Sequence, residues 1–214
     1  MSCDHGDVSD EIGLPGAASP RHGTAGLSTL LERALRVAGT AHAGQHRKGT
    51  DIPYVVHPLA VVLILTRAGI DDDETLAAAI LHDVVEDTDW TAERLQREFP
   101  PRVVELVAAL SEQKTTSDGE PIPWETRKRE HMQRLGASCS AARAIALADK
   151  LHNARSLLYD AEAGGVCWDR FNAPRDRILD RYREAAERLG GDEPPLARLV
   201  TELRETIDRL SAVD

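Results

Sequence analysis

The sequence predicts an all-α fold, a single helical bundle of about eight to nine helices, on three observations. Aromatic residues make up only 4% of the 214-residue chain while alanine and leucine abound, a mix that suits helices better than a β-sandwich. From Ser28 onward apolar residues recur at three- and four-residue spacing, the period of an amphipathic helix. No segment reads as a convincing strand, and no internal repeat or sustained heptad suggests another architecture.

Each element follows in order. Residues 1–26 are rich in Gly, Pro, Ser and Asp and poor in periodic apolar content, which predicts a flexible N-terminal tail. Cys3 and His5 lie there without the fixed geometry a metal site needs. Ser28 is positioned to cap a first helix, with Gly44 at its end. Pro58 suits the first position of a second helix, Leu59 to Ala68, with His57 at its cap. That helix is almost wholly apolar and is expected to be buried. Asp71, Asp72 and Asp73 cap a third, running from Glu74 to about Asp87. Thr91 caps a short helix ending near Phe99, and Pro101 opens another through about Leu110. Residues 112–123 read as a loop. Trp124 to Leu135 is a basic amphipathic helix, Ser140 to Tyr159 one with an apolar centre. Two more helices, Pro174 to Leu189 and Pro195 to Leu210, complete the chain. The expected organisation is the tail, then one domain over 27–214, with its motifs in 27–160 and C-terminal helices in 161–214.

Composition narrows the function. Lys plus Arg number 26 and Asp plus Glu 36, a formal charge of −10, so nucleic acid is disfavoured as a partner. No apolar run approaches the ~20 residues that span a bilayer, and the acidic start lacks the apolar core of a secretory signal. The three cysteines, Cys3, Cys139 and Cys167, form no C-x-x-C pair. Free thiols in the cytoplasm are the expectation.

The third helix carries the chemistry. His82, Asp83, Glu86 and Asp87 stand at one-, three- and four-residue spacings directly after an apolar run, so they form one polar surface. Burying several unpaired carboxylates costs several kcal/mol, a cost a divalent cation removes. A solvated helix end is the plain alternative. A second place repeats the theme. Asp149 follows the apolar run Ala144–Ala148, and Asn153 lies one turn on; the alternative there is a salt bridge to a neighbouring arginine. His152 points elsewhere on the helix and reads as a packing group, or as one that supports a ligand from behind, rather than as a ligand. His57 could equally be a capping or core histidine. Taken together, His57, His82, Asp83 and Asp149 are two imidazoles and two carboxylates, a set suited to Mn, Fe, Co or Zn. Such an ion acidifies bound water and polarises a phosphoryl oxygen. Arg47 and Lys48 sit in the turn before His57, where they can meet a phosphate. Lys150 and Arg155 flank Asp149. Arg127, Lys128 and Arg129 form a cationic cluster that reads as a solvated helix face, with contact to a phosphate ligand as the alternative.

Four strings carry a family resemblance: Ala41-His42-Ala43-Gly44-Gln45-His46-Arg47-Lys48-Gly49, Pro53-Tyr54-Val55-Val56-His57-Pro58, Ala79-Ile80-Leu81-His82-Asp83-Val84-Val85-Glu86-Asp87-Thr88, and Ala148-Asp149-Lys150-Leu151-His152-Asn153-Ala154-Arg155. In this order the chain resembles the HD-domain metal-dependent phosphohydrolases. More closely, it resembles the hydrolase domain of the RelA/SpoT family and its short stand-alone forms. The resemblance implies an all-α fold around one Mn²⁺ held by His57, His82, Asp83 and Asp149. It implies Glu86 and Asp87 as the catalytic carboxylates that orient or deprotonate water. Arg47, Lys48 and Asn153 would contact the nucleotide and its phosphates, with Tyr54, Lys150 and Ser156 as further substrate contacts. The implied reaction is removal of the 3′-pyrophosphate from guanosine tetra- or pentaphosphate. A phosphohydrolase or nucleotidase for another phosphorylated nucleotide is the alternative, and a non-catalytic nucleotide-binding module the second. The length leaves no room for a synthetase or regulatory domain. Two places depart from the family pattern, Pro100-Pro101 and the segment from Gly164 to Ala173. Oligomeric state is unassigned.

Overall fold

The computed structural model describes residues 27–116, 118–164, 168, 171 and 173–213. The tail expected over 1–26, with Cys3 and His5, lies outside them, as do Cys167 and part of the Gly164–Ala173 segment. The described residues form α1 (Thr29–Ala41), α2 (Val56–Ala68), α3 (Asp73–Leu81), α4 (Val84–Asp87), α5 (Ala92–Glu98), α6 (Pro101–Leu110), α7 (Trp124–Gly136), α8 (Ser140–Glu162), α9 (Arg175–Arg188) and α10 (Pro194–Ala212). Among the described residues the only β-type pairings are two isolated bridges, His46 with Pro53 and Thr115 with Pro121.

Local chemistry sets the boundaries. Side-chain oxygens of Ser28, Asp72 and Thr91 accept from the backbone N–H of Leu31, Thr75 and Arg94, satisfying donors that a helix start leaves unpaired. Gly69 closes α2 in the left-handed region at φ 99°, where an L side chain would be strained.

Three boundaries differ from those expected. The first helix ends at Ala41, with His42 as its cap, rather than at Gly44. The second begins at Val56, so Pro58 is its third residue. Proline fits there because first-turn N–H groups have no intrahelical acceptor. The third helix, expected unbroken to Asp87, stops at Leu81 and resumes at Val84. At the break the His82 ring nitrogen Nδ1 lies 2.8 Å from the Ala79 carbonyl oxygen, putting a side-chain bond within the helix's carbonyl ladder. The break divides one expected helix into α3 and α4.

The 23-residue α8 is the central strut, packed by α2, α3, α6, α7, α9 and α10. Its buried Ala142, Ala144, Ala146, Ala148 and Ala154 let neighbours approach closely. Leu65 of α2, Leu147 and Leu151 of α8, and Leu199, Leu203 and Leu210 of α10 are fully buried, each contributing about 1.5–3 kcal/mol of transfer free energy. The pairs Arg155–Glu202 and Arg209–Glu162, both at 2.5 Å, run along the outer seam of α8 and α10. This frame carries three polar intrusions to one place: the first turn of α2, the break between α3 and α4, and the middle of α8.

Candidate metal centre and adjoining cavity

His57 enters from the first turn of α2, His82 and Asp83 from the α3–α4 break, and Asp149 from α8. One donor atom from each of His57, His82 and Asp149 can be chosen with all three within 4.8 Å of one another. Asp83 joins them: its Oδ2 is 3.6 Å from His57 Nε2 and 2.9 Å from His82 Nε2. Asp149 Oδ1 is 3.1 Å from His57 Nε2. The four side chains singled out by residue type therefore converge.

The break is what allows two adjacent residues to face one centre. In an unbroken helix, successive side chains diverge by ~100°. The His82 N–H at Nδ1 donates to Ala79 O, which leaves Nε2 as the atom that takes up either a proton or a cation. That nitrogen is buried without a hydrogen-bond partner, although Asp83 Oδ2 lies nearby. A ring nitrogen turned toward carboxylate oxygens suits positive charge between them, a proton on the nitrogen or a metal ion in its place.

The electrostatics report the same demand for positive charge. Burial works against a charged His82, but Asp83 and then Asp149 outweigh it and push the imidazole up to about 9. Burial also works against the Asp149 carboxylate, yet Lys150 and His57 hold it well below the usual range. For Asp83, burial is likewise overcome by the neighbouring imidazoles, chiefly His82. His57 responds oppositely: burial lowers it despite Asp149, which favours its neutral form.

Polar neighbours hold the converging groups. Tyr54 donates from its hydroxyl to Asp83 Oδ2 at 2.6 Å and lies 3.4 Å from Asp87 Oδ2. Asp149 accepts from Asn153 Nδ2 and Lys150 Nζ, each at 2.6 Å. Asn153 Oδ1 in turn accepts from Arg47 at 2.5 Å. His152 does not point elsewhere, as its helix position suggested. Its Nδ1 lies 2.7 Å from His57 Nδ1. Glu86 and Asp87 follow on α4 beside the centre; Lys114 Nζ stands 3.4 Å from Glu86 Oε1. Burial raises Asp87, reinforced by Asp83 and Glu86.

A cavity of about 210 Å³ is lined by the four converging side chains with Glu86 and Asp87, and lies beside a larger one of about 440 Å³. Arg47, Tyr54, Lys128, Lys150 and Asn153 line both, so the two share a wall. Lys48 and Ser156 line the larger one only. Every expected substrate contact is thus at the cavity wall.

Other residues at or beside the wall were read differently from the sequence, or not at all. Arg127 and Lys128 are not solvated like Arg129: both pair with Glu112, a side chain only 8% exposed. His131 lines both cavities, and burial lowers it to about 4 against the pull of Glu112. Trp124, Arg181 and Tyr182 complete the larger cavity. His131 was detectable, being one turn from Lys128 on the same helix face. Glu112 was not, because its loop carries no period.

Comparison with known proteins places this arrangement. The profile described as HD domain matches residues 34–190. The guanosine-3′,5′-bis(diphosphate) 3′-pyrophosphohydrolase MESH1 of Mus musculus is 41% identical over 130 residues, covering 60% of this chain and 69% of that one. GTP pyrophosphokinase of Streptomyces coelicolor is 42% identical over 165 residues, 76% of this chain; the match spans only 18% of that relative's length. The solved structure of a metazoan ortholog of SpoT that hydrolyzes ppGpp superposes with a TM-score of 0.71 at 32% identity, covering 88% of this chain and 98% of that one. Among the described residues no helix is long and apolar enough to cross a membrane.

Proposed function

We propose, for a chain that belongs to the HD-domain family, the metal-dependent hydrolysis of guanosine 3′,5′-bis(diphosphate) to GDP and pyrophosphate. The convergence of His57, His82, Asp83 and Asp149 beside a nucleotide-sized cavity carries this reading. Similarity to a pyrophosphohydrolase of that name, over more than two thirds of its length, supports it.

Nε2 of His57, Nε2 of His82 and oxygens of Asp83 and Asp149 would hold a divalent transition ion, Mn²⁺ by family resemblance. Such an ion supplies Lewis acidity toward a phosphoryl oxygen and acidifies water. The side chains supply the rest. Asp87, whose proton affinity is raised by burial and by Asp83 and Glu86, accepts the proton of the attacking water, and Glu86 orients that water. Tyr54 fixes Asp83 and reaches toward Asp87 through one hydroxyl. Arg47 and Lys48 offset phosphate charge, with Arg47 placed by Asn153. Lys150 neutralises Asp149 and lines the path of the phosphate. Water attacks the 3′-linked phosphorus, the P–O3′ bond breaks, and the ribose oxygen leaves with the electron pair. Electrostatic stabilisation of that transition state is the dominant contribution.

The test is an assay of Mn²⁺-loaded protein against phosphorylated nucleotides, with the phosphate product identified. Pyrophosphate from the guanosine substrate supports the proposal. Orthophosphate from many nucleotides would make the chain a general phosphatase, and no turnover would leave a binding module. The reading places the protein in the cytoplasm, where nucleotide substrates are.

A further inference from the structure

Glu86 and Asp87 ride on a single helical turn, Val84–Asp87. One turn does not hold itself, because forming it fixes several dihedrals for one hydrogen bond. Its C-terminal carbonyls need donors from outside. Thr88 Oγ1 donates to Val84 O at 2.6 Å, the half-exposed Lys114 Nζ to Glu86 O at 3.2 Å, and Gln45 Nε2 to Asp87 O at 2.8 Å. Gln45 reaches the turn from the loop between α1 and α2, and it is itself held. Its amide N–H goes to Asp87, so Oε1 is the atom left to accept. His42 Nδ1 lies 2.8 Å from that oxygen, which puts the imidazole proton on Nδ1. The His42 ring is buried, and its Nε2 has no hydrogen-bond partner among the described residues. The same ring lies against Tyr54, with centroids 4.7 Å apart. The Tyr54 hydroxyl stands 3.4 Å from Asp87 Oδ2. Both holds on Asp87, at its backbone and at its side chain, therefore lead back to His42.

We propose that His42 and Gln45 are positioning residues: the buried imidazole fixes the Gln45 amide, and the amide fixes the turn that aims Asp87 at the attacking water. The assignment rests on the hydrolase reading above. Neither residue lines either cavity, so both act through Asp87 and Tyr54 rather than on the substrate. A base held slightly out of place costs rate and leaves ground-state binding alone. His42 and Gln45 also act in series. Without the amide, the imidazole has nothing to orient at Asp87.

The experiment is steady-state hydrolysis of guanosine 3′,5′-bis(diphosphate) by the full chain loaded with Mn²⁺. The proteins are wild type, Gln45→Met, Gln45→Glu, His42→Phe and the double variant of Gln45→Met with His42→Phe, with helical content and melting checked for each. Methionine keeps the length of Gln45 and loses both bonds. Glutamate still accepts from His42 but cannot donate to Asp87 O. Phenylalanine keeps a ring against Tyr54 and loses the Nδ1 donor. The expected result is a ~5–10-fold fall in kcat in each single variant, with KM and Mn²⁺ affinity unchanged. The double variant is expected to be no slower than Gln45→Met, whereas independent contributions would multiply. The two Gln45 variants carry the kinetic test if His42→Phe does not fold. Nitrogen NMR of metal-free wild type reads the tautomer apart from activity, and His42 is expected with its proton on Nδ1. Four results overturn the assignment: wild-type kcat in both Gln45 variants, a loss confined to KM or metal affinity, multiplied losses in the double variant, or a His42 proton on Nε2 alone. Wild-type release of pyrophosphate with unaffected variants removes the positioning role only. No release by wild type removes the hydrolase reading, and the positioning role with it.

Discussion

His57 and His152 meet ring to ring, Nδ1 to Nδ1, at 2.7 Å. Two neutral imidazoles share such a bond only when one donates and the other accepts. With His57 presenting Nε2 to a cation, its Nδ1–H donates to His152. Burial, together with the nearby His57 and Arg47, lowers His152 to about 4, keeping it an acceptor. His152→Ala removes that acceptor and frees the ring of His57. The expected loss in divalent-metal affinity is ~10–100-fold, read by metal titration of the folded variant. An unchanged affinity would show that His152 only packs.

Metal affinity is expected to climb with pH. In the metal-free protein His82 holds its proton up to about 9, because Asp83 and Asp149 outweigh burial. A cation entering at lower pH must expel that proton. The dissociation constant is therefore expected to fall ~10-fold per pH unit between pH 7 and 9 and then level off. Titration in buffers of matched ionic strength checks this; a flat profile contradicts the assignment of Nε2 as a ligand.

The carboxylates of α4 separate binding from chemistry. Glu86→Ala and Asp87→Ala leave the four converging groups intact, so both variants are expected to retain metal and lose turnover. Tyr54→Phe removes the 2.6 Å bond to Asp83. A hydrogen bond to a charged group is worth ~1.5–3 kcal/mol, so roughly a tenfold or greater fall in kcat follows if Tyr54 fixes the reacting geometry. Metal content by elemental analysis and steady-state rates decide each case. Turnover at the wild-type rate in both carboxylate variants would refute the mechanism.

His131 ties stability to pH. Its folded-state value, lowered by burial to about 4, lies below the ordinary 6.5. Between these limits the unfolded chain binds more protons, so stability falls as pH drops from 6.5 toward 4. His152 acts in the same direction. His131→Gln is expected to shallow this decline, as read from urea midpoints across the range; an unaltered slope would assign the decline elsewhere.

The sequence made the centre legible because its residue types were costly where they stood. A His-Asp pair closing an apolar helix and an Asp inside an apolar run each ask for a partner. Ser28, Asp72 and Thr91 announced their helix starts. What periodicity could not show was the interruption at His82, because the residues on either side keep a helical pattern. The three-dimensional partners of Arg127 and Lys128 were equally hidden. Glu112 lies in an aperiodic loop, and only folding brings it against them. His152 was misplaced for a related reason: helix position gives direction about one axis, but not which neighbour fills it.

The converging ligands come from α2, from the α3–α4 break and from α8, so an ion seated there staples together segments far apart along the chain. An unfolded chain scatters these ligands. Occupancy is thus a source of heat resistance, adding about 2.7 kcal/mol at a free-ion concentration a hundredfold above the dissociation constant. A chelator in the buffer withdraws that increment without altering any residue. Melting temperature then becomes a gauge of how full a purified sample is.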